Sequence, residues 1–144
     1  MRRAVLWDSS AVLALLDADD ADHAAAREIA ARLARERRRS FMTNYLEVET
    51  HALLVRKLGR GMAREWLLTA SLPIVRVLPD EEQRAREIIA VYADKDWSLC
   101  DAISFAVIER IAPGVSSRRA GGRPTTRWRG PTARGKGSGA APAE

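Results

Sequence analysis

The 144-residue chain has the size of one domain, and a 47% share of hydrophobic residues fills one ordinary core, which excludes a multidomain machine. Its single cysteine, Cys100, has no internal disulfide partner, no stretch near the N-terminus has the pattern of a signal peptide, and charged residues cut every apolar run below the roughly 20 needed to cross a bilayer, so a soluble cytoplasmic protein is expected. The net charge of +5 and a pI near 10.1 suggest nucleic acid or another polyanion as partner, yet the charge is uneven: residues 1–111 carry 17 basic against 18 acidic residues, and residues 112–144 carry 7 against 1.

In chain order, Arg3 to Trp7 is a short apolar run that reads as a strand, and Ser9 or Ser10 can cap a helix carrying Val12, Leu13, Leu15 and Leu16. The acidic stretch Asp17 to Asp22 suits the start of a second helix, His23 to about Arg38, whose end is closed by the cations of Arg35 to Arg39. Ser40 to Thr43 reads as a strand, and Thr43 or Asn44 begins a helix that runs through about Leu58 and is ended by Gly59. A short helix over Met62 to Ala70 follows. Pro73 to Leu78 reads as a strand, Pro79 opens a helix to about Ala93, and Ser98 caps a last helix through Ile111, with Asp101 as the acid of a capping box. Strands alternating with helices imply a parallel α/β sheet covered on both faces. The segment 112–144 has 7 Gly and 4 Pro, with Val115 and Trp128 as its only large apolar side chains, a composition that predicts a basic, disordered tail.

Three groups of acids stand out. Asp8 directly follows the first strand, at the carboxyl end where open parallel sheets bind ligands, although an ordinary helix cap explains it equally. Glu47 and Glu49 sit about 200° apart around a helix, so only one can face a shared site; Glu49 lies on the side of Tyr45, Leu46 and Leu53, which is expected to meet the core. Asp101 needs only the Ser98 backbone to explain its place, but it lies on a largely apolar helix, where an acid calls for a partner or a cation. Three carboxylates brought together would suit a hard divalent ion. His23, His51 and Cys100 have no zinc-ligand spacing, and a P-loop, a nucleophile triad and a GxGxxG turn are absent.

The segments VLWDSSAVLALLD, TNYLEVETHALL and DKDWSLCDAISFAVIER, in this order, resemble the PIN-domain ribonucleases, and among them the VapC toxins of bacterial toxin–antitoxin pairs. The resemblance spans about residues 4–111. It implies a PIN-like three-layer α/β/α fold with a central parallel sheet, a Mg²⁺- or Mn²⁺-dependent endoribonuclease acting on tRNA or rRNA, a VapB-like antitoxin partner, and a homodimer. Carried over by position, Asp8 and Asp101 match the metal-binding acids and Glu49, directly before Thr50, matches the middle acid, which makes Asp8, Glu49 and Asp101 the catalytic set. Asp96 matches an outer acid, and Ser9, Thr43 and Asn44 match hydrogen-bonding positions. Glu47 stays open as the alternative to Glu49.

The likeness breaks after Ile111. Members of the family continue with a further strand and a Thr-x-Asp-x-x-Phe motif, whereas here Ala112-Pro113-Gly114 and the Arg/Gly/Pro-rich segment follow, with no Asp after Asp101. A reading-frame shift near codon 112 of a GC-rich gene accounts for such a composition, and a genuine basic tail is the rival explanation. The last strand is accordingly expected to be missing, with a bare sheet edge and weakened activity as consequences. The alternative function is a catalytically impaired PIN-fold protein that binds an antitoxin or nucleic acid without cleaving it.

Overall fold

The computed structural model describes residues 4–111; the segment 112–144, and with it the expected disorder and loss of the last strand, lies outside the described residues. In chain order the elements are β1 (Val5–Leu6), α1 (Ser9–Leu16), α2 (His23–Arg35), β2 (Ser40–Thr43), α3 (Asn44–Leu58), α4 (Arg60–Thr69), β3 (Ile74–Val75), α5 (Pro79–Val91) and α6 (Leu99–Ile111). The three strands form a parallel sheet in the order β1-β2-β3, with Val5 opposite Ser40 and Met42 opposite Ile74.

Successive side chains of a strand point to opposite faces, so the consecutive burial of Phe41, Met42 and Thr43 means that both faces of β2 are covered. This is the three-layer α/β/α arrangement. α5 packs on α6, and α1 packs on α2 and α3, with α4 against α3. The core gathers Leu6, Val12, Phe41, Met42, Leu46, Ile88, Ile103 and Val107, with Trp97 wedged at its margin between Tyr92 and Phe105, at ring-centroid distances of 5.4 and 5.0 Å.

Local chemistry explains the boundaries. Thr43 Oγ1 accepts from the Leu46 amide and caps α3, while Gly59, at φ 87° and ψ 167°, breaks the chain between α3 and α4 in a region open almost only to glycine. α2 ends earlier than its cations suggest. The Arg37 amide bonds back to Ala34 O and the Arg38 amide to Leu33 O, a Schellman turn that places Arg37 at φ 49°, where glycine is the usual residue. The acids before α2 shape the turn rather than cap the helix: Asp17 Oδ1 accepts from the Asp19 amide and Asp20 Oδ1 from the Asp22 amide. Between α5 and α6, Glu81 pairs with Arg110, which also donates to Arg76 O at 3.2 Å, and Glu81 Oε2 accepts from the Leu78 amide that opens α5. Among the described residues no helix is long and apolar enough to cross a membrane.

Candidate active site

The carboxyl end of β1 delivers Asp8 into the first turn of α1. Asp8 itself, not Ser9 or Ser10, is the N-cap: its Oδ1 accepts from the Ala11 amide at 2.8 Å while its backbone stays extended. The cap uses one oxygen and leaves the carboxyl at the end of the sheet, half-buried.

Glu49 reaches the same place from α3. Its Oε2 accepts from Ser9 Oγ at 2.7 Å, whereas no such bond joins Glu47 to α1. The face assignment from sequence needs a correction: Leu46, Thr50 and Leu54 form the buried stripe of α3, and Glu49 stands exposed beside that stripe, at the rim of the sheet. An ionised carboxylate stays hydrated there, which is cheaper than burying it among apolar side chains.

Asp101 arrives from α6 and is also exposed, so burial does not force a partner on it. Its Oδ2 accepts from the Ser98 amide at 2.8 Å and from Ser98 Oγ at 2.9 Å, and its own amide donates to Ser98 Oγ at 3.1 Å, the reciprocal pattern of a capping box.

Asp8 feels the other two acids. Burial is the main cause that pushes the Asp8 carboxyl above the usual carboxylate value, and the negative charges of Asp101 and Glu49 push it further, against the Ala11 amide that pulls it down. Sequence reasoning missed Cys100 as a member of this neighbourhood. Its thiol is pushed up to about 12, first by burial and then by Glu49 and Asp101, with a hydrogen bond to Glu49 and the charge of Asp8 adding to the effect. It therefore stays a neutral thiol at physiological pH, a poor nucleophile. Its place directly before Asp101, in the first turn of α6, was the available signal.

The remaining positions carry fold rather than the acid cluster. Thr43 is spent on the α3 cap, and Asn44 Oδ1 accepts from the Val77 amide at 2.9 Å, tying the end of β2 to the chain after β3. Asp96 stands exposed in the loop before α6. His23 Nδ1 donates to Ala14 O at 2.8 Å and locks α2 to α1.

An all-carboxylate donor set with no cation among the charges acting on Asp8 has the chemistry of a site for a hard divalent ion. Among the described residues, however, no group of three or more His, Cys, Asp or Glu side chains is arranged to hold a metal ion. Each acid also has one oxygen in a local hydrogen bond, Asp8 with Ala11, Glu49 with Ser9 and Asp101 with Ser98.

Comparison with known proteins bears on the same elements. The PIN domain family matches residues 5–112. Among solved structures the chain is similar to the crystal structure of Mycobacterium tuberculosis VapC20, a sarcin-ricin loop cleaving toxin, with a TM-score of 0.62 and 28% sequence identity over 74% of this chain and 82% of that one. No protein with a curated description matches it.

Proposed function

The chain belongs to the PIN-domain family, and on that premise we propose that it is a VapC-type endoribonuclease toxin that hydrolyses RNA phosphodiester bonds at the cluster of Asp8, Glu49 and Asp101. The observation that carries this reading is the convergence of three acids from α1, α3 and α6 at the carboxyl end of a parallel sheet, close enough for the charges of two to raise the third.

Asp8 and Asp101 would hold a divalent ion, Mg²⁺ or Mn²⁺. When bound, such an ion neutralises charge on the phosphate oxygens and makes water a better nucleophile at neutral pH. Glu49, held through one oxygen by Ser9, accepts a proton from the attacking water, which approaches phosphorus in line with the leaving 3′-oxygen. The Asp8 and Asp101 caps fix both side chains at helix starts, so neither has to be recruited from a mobile loop.

The similarity to VapC20 supports structured rRNA as substrate, with the sarcin-ricin loop as the first RNA to try, and a VapB-like antitoxin as partner; a homodimer in the cytoplasm belongs to the same proposal. In this reading residues 1–111 are the PIN domain and residues 112–144 a basic appendage. One experiment tests the proposal: an RNA oligonucleotide carrying that loop is incubated with wild type and with Asp8→Ala, with and without Mn²⁺. Cleavage by wild type that needs the ion and vanishes in the variant is expected. Equal cleavage by both proteins would remove Asp8 from the chemistry. Binding without cleavage would favour the impaired, antitoxin- or RNA-binding alternative.

A further inference from the structure

The opposite end of the sheet carries the opposite charge. Residues 32–39 contain five arginines and no lysine, against the single acid Glu36. Arg32 and Arg35 lie in the last turn of α2, Arg37 occupies the left-handed position of the Schellman turn, and the Arg39 carbonyl accepts from the Val5 amide at the start of β1. Arg32, Arg35, Arg37 and Arg39 are exposed, and none of these four forms a salt bridge among the described residues.

Stability does not explain this density. One or two cations in the last turn answer the helix dipole, an effect that fades beyond that turn, and five neighbouring arginines repel one another. Arg37 is the sharpest sign. A glycine would take its φ of 49° without steric cost, yet a guanidinium stands there.

We infer that the arginines at the end of α2 form a second contact surface for the RNA phosphate backbone, separate from the acid cluster. Guanidinium groups match phosphate oxygens two at a time, which suits these side chains to a phosphate backbone. Arg39 lies beside Val5, and Val5 is separated from Asp8 by about 10 Å at the usual rise of a strand. The patch therefore meets phosphates away from the scissile one, and it sets affinity and register on a folded RNA rather than the bond that breaks.

The choice of RNA as the polyanion rests on the ribonuclease reading. The test is RNA binding by the full-length chain in EDTA, followed by fluorescence anisotropy across a salt series, for wild type, Arg37→Gly, and Arg35→Gln/Arg37→Gly/Arg39→Gln combined. The basic segment 112–144 is present in every protein, so only differences are read. The combined variant is expected to lose at least tenfold in affinity at low salt and to flatten the slope of log K against log salt by about 2 to 3. Arg37→Gly alone should flatten it by about 1 while melting at a higher temperature than wild type, an outcome that misfolding does not produce. Unchanged slopes in both variants would overturn the patch, even if wild type cleaves RNA. Flattened slopes with no cleavage by wild type would sustain the patch and overturn the ribonuclease reading instead.

Discussion

The hydroxyl of Ser9 donates to Oε2 of Glu49 at 2.7 Å, so the first turn of α1 grips an acid of α3 that lies 40 positions further along the chain. The residue before Ser9 is the cap of α1 and the residue after Glu49 is wholly buried, which leaves both ends of this bond little freedom.

Removing the hydroxyl should therefore loosen Glu49 without removing it. Ser9→Ala is expected to lower kcat about tenfold at nearly constant KM, the size of one hydrogen bond to a charged group partly replaced by water. Ser9→Thr should restore the rate. Steady-state kinetics on a single RNA decides; a change in KM alone would show that Ser9 serves binding instead.

Asp8 separates chemistry from stability. Burial, then the charges of Asp101 and Glu49, raise its pKa above the ordinary 3.8, so the folded chain holds the proton more tightly than the unfolded one. Ionising Asp8 thus removes stability as pH rises from 3.8 through the raised folded value, and the loss persists at neutral pH. Asn caps helices as well as Asp does and carries no charge. Asp8→Asn should be inactive yet more stable than wild type at pH 7, with the gain vanishing at about pH 3. Asp8→Ala should be about 0.5–2 kcal/mol less stable than Asp8→Asn, because it also loses the cap. Urea unfolding at the two pH values checks both statements.

The Glu81–Arg110 pair carries the opposite pH signature. Burial alone would raise the Glu81 carboxyl, but the Arg110 guanidinium and the Leu78 amide outweigh it and hold the carboxyl below its usual 4.5. The pair therefore stabilises the fold above pH 4.5, and that contribution fades as pH falls through the lowered folded value. Arg110→Ala should cost about 1.5–3 kcal/mol at pH 7, with the difference from wild type closing in acid.

Two glycines next to the α3–α4 junction should respond in opposite directions. A Cβ at Gly59 or Gly61 would touch nothing within 4 Å, so backbone conformation alone decides. Gly59→Ala, at φ 87° and ψ 167°, should cost about 1–3 kcal/mol, whereas Gly61→Ala, inside α4, should add about 0.5–1 kcal/mol. Thermal unfolding of the two variants reads the sign directly.

Helices were legible in the sequence wherever a cap or a stop lies within a few residues of the boundary. Thr43 and Gly59 bracket α3, Pro79 opens α5, and Ser98 with Asp101 opens α6, all as their local chemistry requires. The strands were less legible. β1 and β3 keep only two paired residues each, since ladder length depends on a partner distant in sequence, and apolar character near Trp7 or Val77 serves packing against the core instead. The early end of α2 was hidden because an arginine occupies the left-handed position that glycine would have announced. At the site, Asp8, Glu49 and Asp101 could be picked out as candidates because their three segments resemble the family's, in the same order. The exposure of Glu49, the bond from Ser9 and the thiol of Cys100 among the acids depend on how α1, α3 and α6 meet, which is a tertiary fact.

The assembly of the cluster from three separated helices has a consequence during synthesis. The caps at Asp8 and Asp101 are local and form on the timescale of helix formation, but the acids meet only after the parallel strands have closed over long stretches of chain, the slow kind of contact. A chain still emerging from the ribosome carries Asp8 and Glu49 long before Asp101 is made. On the ribonuclease reading, such a chain has no complete acid cluster until α6 has been released and docked.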